Sequence, residues 1–581
     1  MSGDYLVLIG DAGGGGSPSD GLAARGWSLL FERPGLQVHG LGPRLPVQAI
    51  GARGALIGVV RPRPDAEAAE FQDGAVPATC NRLLKRVWGS YVAVFAEREP
   101  GDVSVFRDPS GSLESVVWRA QGRTIVTSAR YDHVPTQLQP VVQLDWNAVR
   151  DLLIDRSRAG GQLALRGVET VGPGNLASVS RGGVKQTLLW RPSNFAQAPP
   201  ISGDVARRRL RTLTDGCVAQ LVGDQAPALV EVSGGLDSAI VATTICALGG
   251  ERVKLWLNNR SDHPRGDERR YARDVAERGG FVLTEHLKSI TPLDATAWSS
   301  LCGGWRPPFS GLDVGRDRAI TELCEAHAIE RIYTGQGGDM VFFQEPMPAI
   351  LSDHLRLGGA WREVPKLADG LAAWGRRSGW RVLGPGLRGA LGAKSLSIAP
   401  SSLMATAASV TAGGDHAWRL DAVKLPPAKR FQVFSLVACQ AFNTGSLRQA
   451  AVDVVHPLLA QPIVEFCLRL STPQLTQGKG DRVLARQAFA ERLPPSIVAR
   501  RAKGELSCYY GQLVAASLPY LRPLLLDGVL VQEGVLDRRA LEDVLTPEHL
   551  IVHAPYTEVL EAALVETWAA DWRQRLSGPV V

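Results

Sequence analysis

The chain has 581 residues, of which 45% are hydrophobic and 21% charged, and it carries a net charge of +6; that is the make-up of a soluble globular chain of two or more domains, and it excludes a disordered or fibrous one. No uncharged apolar run reaches the roughly 18 residues a membrane span needs, and no Lys/Arg run or aromatic-interleaved basic stripe stands out, so neither a membrane nor a nucleic acid is expected as a partner. Eight scattered cysteines without a CxxC pair argue against a zinc site or a disulfide framework and for a reduced, cytoplasmic setting. No basic residue precedes Tyr5-Leu6-Val7-Leu8-Ile9, so a signal peptide is not expected.

Residues 1–195 read as mostly strand. Short apolar runs at Tyr5–Ile9, Ala55–Val60, Tyr91–Phe95, Val103–Phe106, Val116–Trp118 and Thr124–Thr127 are separated by turn residues. Gly13–Ser19 is a Gly-rich loop with no helix pattern after it, hence no phosphate loop. The polar, Pro-rich stretch Arg191–Asp204 reads as a linker.

From Val205 the pattern alternates between helix and strand. Val205–Leu221 reads as helix, and Ala228–Val232 is a β-branched apolar run leading into Ser233-Gly234-Gly235-Leu236-Asp237-Ser238 and an apolar helical stretch, Ala239–Leu248. A strand, tight Gly turn and helix N-terminus aim several backbone N–H groups at one point, where the helix dipole adds positive potential. Asp237 offers a hard oxygen suited to Mg²⁺. The loop is not a Walker A motif, since no Lys follows its glycines. Further along, Arg252–Leu257 reads as strand, Asp267–Arg278 as helix, Phe281–Glu285 as strand, Arg316–Ala328 as helix, and Glu330–Thr334 as a strand followed by Gly335-Gln336-Gly337-Gly338-Asp339. This alternation predicts a doubly wound parallel sheet with ligands at the carboxyl ends of its strands. Asp237 and Asp339 then converge on one metal from two strand ends.

The first loop resembles the pyrophosphate loop SGGxDS of the ATP-pyrophosphatase superfamily at every fixed position. The text WGSYVAVF (88–95), FRDPSG (106–111) and VTS (126–128) resembles the glutaminase half of class B asparagine synthetases, an Ntn-type αββα sandwich. The nucleophilic Cys of that half is Ser2 here and no Asn-Gly-Glu segment is present, which implies a degenerate scaffold domain. TGQGGD resembles the synthetase pattern SGxGxDE, with Met340 in place of the usual Glu. Residues 453–466 resemble ExRxPFLDxxxxEF, and residues 481–507 resemble KxxLRxAxxxxLPxxIxxRxKxxFS.

The resemblance implies two domains, 1–195 and 204–581, the second with a helical insertion over 346–420. It implies ATP and Mg²⁺ as cofactors, with Ser233, Gly234, Gly235, Leu236, Asp237, Ser238, Gly335 and Gly337 around the pyrophosphate and Leu257 meeting adenine through its backbone. Asp237 and Asp339 are the implied metal ligands, Lys503 is the implied catalytic cation, and Gln336 stands where asparagine synthetases carry Glu. Arg500 and Arg501 read as surface charges. The combination is similar to lasso peptide macrolactam synthetases, which join a precursor peptide's N-terminal amine to an internal Asp or Glu side chain. The expected partners are that peptide and a leader peptidase or leader-recognition protein. A β-lactam synthetase-like or asparagine synthetase-like ligase, a tRNA-modifying adenylating enzyme and an inactive scaffold are the alternative readings.

Overall fold

The computed structural model describes the chain except for residues 1–2, 11–17, 43–44, 67–73, 197–200, 224–225, 251, 262, 265, 393–402, 406–414, 502–503, 505–506, 554 and 578–581. Ser2, Lys503 and most of the Gly13–Ser19 loop therefore lie outside the described residues.

The N-terminal part contains two six-stranded antiparallel sheets. In one, Asp4–Ile9 lies between Leu36–Leu41 and Arg123–Thr127; in the other, Val87–Ala96 lies between Gly54–Pro62 and Val103–Arg107. Side chains alternate across a strand, and here both faces are covered. Tyr5, Val7 and Ile9 meet Val92, Val94, Val103 and Val105 in a core between the sheets. Leu6 and Leu8 face outward into a core shared with the helix Trp146–Ile154, while Tyr91, Ala93 and Phe95 face outward toward Cys80, Leu83 and Leu84 of the helix Val76–Arg86. The layers run helix, sheet, sheet, helix. Double-sided burial explains why these strands read as apolar runs and not as clean alternation.

A second architecture begins with helix α1 (Gly203–Val222). Strands β1 (Ala228–Glu231), β2 (Val253–Arg260), β3 (Leu283–Leu287), β4 (Arg331–Tyr333) and β5 (Asp453–Val455) form one sheet in the order β3-β2-β1-β4-β5, and every pairing is parallel. Helices α2 (Leu236–Ala247), α3 (Arg269–Gly279) and α4 (Val314–Ala326) make the crossovers. Residues Leu236 to Ile245 of α2 are all buried, so the helix is covered on every face. Strand order reverses between β1 and β4, and the crevice at such a switch point is where open α/β sheets bind ligands. β5 has no counterpart among the strands read from the sequence: Asp453–Val455 is only three residues long, and it joins the sheet after a long helical excursion. That excursion includes Ala349–Arg356, Val364–Gly375, Trp380–Ala390 and Pro427–Cys439.

The two parts share cores. Helices α5 (Ser507–Leu526) and α6 (Tyr556–Ser577) pack together, and their Leu513, Val514, Leu521, Trp568 and Trp572 join Trp118 and Ile125 of the first sheet. By length and composition the segment Ser507–Gln532 is sufficient to cross a membrane; its Leu513, Leu521 and Leu525 stripe is buried in this core. Both Trp568 and Trp572 donate their indole N–H to the Gly304 carbonyl, at 2.9 and 3.1 Å. Arg306 bridges to Glu114 of the N-terminal part at 2.5 Å, and Arg63 reaches Glu465 at 2.7 Å.

Candidate active site

β1 ends at Glu231, and the chain then turns sharply. The Val232 N–H donates to the Leu257 carbonyl at 2.8 Å, and Asn258 Nδ2 donates to the Val232 carbonyl at 2.7 Å. Ser233 and Ser238 latch the loop: their hydroxyls lie 2.9 Å apart, Ser238 Oγ accepts from the Ser233 N–H at 3.1 Å, and Ser233 Oγ accepts from the Gly235 N–H at 3.2 Å. Gly234 has φ +84, and a Cβ there would lie 2.7 Å from the Glu268 carbonyl oxygen, so only glycine fits. α2 starts at the Gly235 N-cap, which provides no side-chain cap. Its first-turn N–H groups are left for an anion.

The second loop lies directly on the first. A Cβ on Gly335 would come within 2.4 Å of the Ser238 nitrogen, and one on Gly338 within 2.6 Å of Asp237 Cγ. Asp339 follows in the short helix Gly338–Val341. The Gln336 N–H donates to Thr334 Oγ1 at 3.2 Å, and that hydroxyl shares a hydrogen bond with His456 Nδ1 at 2.7 Å. Burial, with Arg448 adding to it, lowers the His456 imidazole to about 4, so the ring is neutral at physiological pH. His456 fixes the backbone at Gln336 from behind the site.

Cations close the front. Arg482 pairs with Asp237 at 2.6 Å and with Asp481 at 2.7 Å, and Arg486 pairs with Asp481 at 2.7 Å. Burial opposes the Arg482 charge, but Asp237, Asp481 and Asp339 together hold its guanidinium above the ordinary range, so one guanidinium senses both predicted metal ligands. Arg500 donates to the Gly234 carbonyl at 2.7 Å, bonds Glu268 and lies 4.0 Å over the Tyr271 ring. It is built into the loop, which corrects its reading as a surface charge. Deeper in, Arg316 and Arg448 hold Glu231 at 2.6 and 3.2 Å. Lys288 bonds Asp313 beneath the Tyr509 ring, 3.6 Å from its centroid.

These groups surround one cavity of about 600 Å³. Ser233, Gly235, Leu236, Asp237, Ser238, Leu257, Gly335, Gln336, Gly337 and Asp339 all line it. Gly234 shapes the loop from behind, and the Leu257 carbonyl is already engaged by Val232. Lys503 lies outside the described residues; its neighbours Arg501 and Gly504 line the same cavity. Arg482, Arg486, Arg316 and Lys288 were not singled out from the sequence, because a lone basic residue looks the same on a surface as in a cleft. Asp453, in the stretch that resembles ExRxPFLD, pairs with Arg331 at 3.2 Å where β4 and β5 begin, at the opposite end of the sheet from the loops.

Two carboxylates on adjoining loops suit Mg²⁺, which is ordinarily held by one or two carboxylates together with substrate phosphates and water. Among the described residues no cluster of three or more His, Cys, Asp or Glu forms a self-sufficient metal cage. The donor set therefore fits a metal that arrives with a nucleotide.

The family model described as asparagine synthase matches residues 209–570. No curated protein matches. Two solved structures show weak likeness: glutamine phosphoribosylpyrophosphate amidotransferase from B. subtilis complexed with ADP and GMP (13% identity, 42% of this chain, 64% of that one, TM-score 0.17), and an allosteric regulatory enzyme of purine biosynthesis (12% identity, 43% and 58%, TM-score 0.16). The chain thus spans less than two thirds of either structure, and overlaps of that quality carry no weight for fold or function. The family match is of a different order: it runs from α1 through both cavity loops to α6, more than half of the sequence, and on that match the chain belongs to the asparagine synthase family.

Proposed function

We propose that this protein is an ATP-dependent, AMP-forming carbon–nitrogen ligase that closes a macrolactam ring in a precursor peptide. The observation that carries the proposal is the convergence of the SGGLDS and GQGGD loops at the sheet's switch point, with two carboxylates and several guanidinium groups on one cavity. Family membership supports an amide-forming ligase. The N-terminal part is read as a degenerate, Ntn-type scaffold. Its one cysteine, Cys80, is fully buried, and burial pushes its thiol up to about 12, so no thiolate is at hand to free ammonia from glutamine. The Arg107 of FRDPSG is used up structurally, donating to the Leu113, Val171 and Gly111 carbonyls at 2.8, 3.0 and 2.7 Å. The amine must then come from a source other than glutamine, and in this proposal it is the substrate's own.

In this reading the α2 N-terminus and the Ser233–Ser238 loop hold the ATP phosphates. Asp237 and Asp339 would hold Mg²⁺, which when bound neutralises phosphate charge. The peptide's Asp or Glu carboxylate attacks the α-phosphorus; the bond to the β-phosphate breaks, giving an acyl-adenylate and pyrophosphate. Arg482 and Lys503 stabilise the departing charge. The N-terminal amine then attacks the acyl carbon, AMP leaves, and one proton is released. Gln336 has no proton to exchange at neutral pH and orients a reactant through its amide. Holding both reacting ends together supplies part of the barrier reduction, about 7–11 kcal/mol in favourable cases.

The test is incubation with ATP, Mg²⁺ and a peptide carrying a free N-terminal amine and an internal Asp or Glu. AMP and pyrophosphate in equal amounts, with a product lighter by one water, are expected. ADP as product, or AMP formed only with free aspartate and ammonia, would refute the macrolactam reading.

A further inference from the structure

Between residues 355 and 391 the sequence holds seven basic and two acidic side chains, a net of +5 in a chain whose total is +6. All seven are exposed: Arg356, Arg362 and Lys366 around Trp361, and Arg376, Arg377, Arg381 and Arg388 around Trp380. Several surface arginines elsewhere pair with carboxylates, as in Arg211–Glu491, Arg273–Glu285 and Arg538–Glu542. Here, among the described residues, none of the seven does. Glu363 lies instead 3.6 Å from His354.

Four large apolar side chains of the same segment, Leu357 among them, are exposed as well. Trp380 is 83% exposed, Trp361 68% and Leu391 89%. The helix Trp380–Ala390 buries only Val382, Gly386 and Gly389, and its small residues sit on Leu351 and Ser352. Its outer side presents Trp380, Arg381 and Arg388. Among the described residues Trp361 and Trp380 line none of the three cavities, and both side chains project from the surface. Apolar tips standing among cations suit an anionic lipid surface: indole rings and leucine enter the interface while arginine reaches the head groups. Nucleic acid offers no such apolar layer. This segment was not legible as a basic stripe in the sequence, because its cations, apart from the pair Arg376-Arg377, stand four to ten residues apart.

We propose that this segment is a peripheral docking face for an anionic lipid surface. Trp374 and Pro346 of the same region line the active-site cavity, so docking would set the cavity mouth beside the lipid. The proposal does not depend on the reaction catalysed.

Co-sedimentation of the full chain with vesicles of equimolar phosphatidylglycerol and phosphatidylcholine tests it. Binding should weaken steeply with added salt and be absent with phosphatidylcholine alone. Arg376→Ala with Arg377→Ala should weaken it about 30-fold, and Trp361→Ser with Trp380→Ser should weaken it independently. All the substituted side chains are exposed, and unchanged circular dichroism should accompany the loss. No sedimentation, equal sedimentation with neutral vesicles, or retention by both variant pairs would overturn the proposal. So would tighter binding, at the same face, of a single-stranded oligonucleotide or an acidic peptide.

Discussion

Asp237 joins both loops and a cation: it packs against Gly338, pairs with Arg482 and stands in the first turn of α2. Asp237→Asn or Asp339→Asn should nearly abolish ATP–pyrophosphate exchange with little change in thermal midpoint; exchange at the parent rate would remove the metal assignment. For Lys503→Ala the expected loss is about 10²–10³ in kcat, with KM for ATP changed far less, since its contact strengthens only as charge develops. Steady-state AMP formation measures both, and an unchanged kcat would return Lys503 to the surface. Thr334→Val strands His456 Nδ1 and frees the Gln336 backbone, so kcat should fall while nucleotide binding holds. At this scale Asp237, Asp339 and Gln336 were legible because their neighbours in sequence are glycines and strand ends. Arg482 and His456 were not, since each enters the site through folding alone.

The elements were legible where the pattern was long. Strands β1 to β4 and the crossovers between them follow the alternation read from the chain, with β1 ending where the apolar run meets Ser233. β5 is not legible in the sequence because three residues give no periodicity, and Asp453–Val455 stands out there only as part of a motif. The contact between the two loops could not be read at all: glycine in GQGGD suggests a turn, whereas the structure shows that Gly335 is required by Ser238 from another strand's loop. Gly335→Ala should therefore cost about 1–3 kcal/mol through overpacking and also weaken ATP binding, because relief of the clash moves the α2 N-terminus. Denaturant unfolding and nucleotide titration together check this. A stable variant with unaltered affinity would show that the loops yield easily.

At the scale of the molecule, the N-terminal part is held to the ligase part by shared cores and by buried charge. Burial alone would raise the Glu114 carboxyl, but Arg107 at 2.9 Å and Arg306 at 2.5 Å hold it well below the ordinary carboxylate range. A depressed folded value means that the contribution is complete above the unfolded value of about 4.3 and disappears as pH falls through the folded one. Glu114→Gln should accordingly flatten the acid limb of the stability curve, and Arg306→Ala should cost about 3 kcal/mol by leaving Glu114 short of a partner. Denaturation over a pH series would show either; parallel acid limbs would contradict the assignment. Cyclisation should survive Ser2→Ala, and no glutamate should be released from glutamine. The central claim is that a side-chain carboxylate is activated by adenylation in the cavity between the two loops. A peptide labelled with heavy oxygen in its Asp or Glu carboxylate tests it most directly: mass spectrometry should find one heavy oxygen in the AMP phosphate and one in the ring amide, whereas unlabelled AMP, or label in inorganic phosphate, would contradict it.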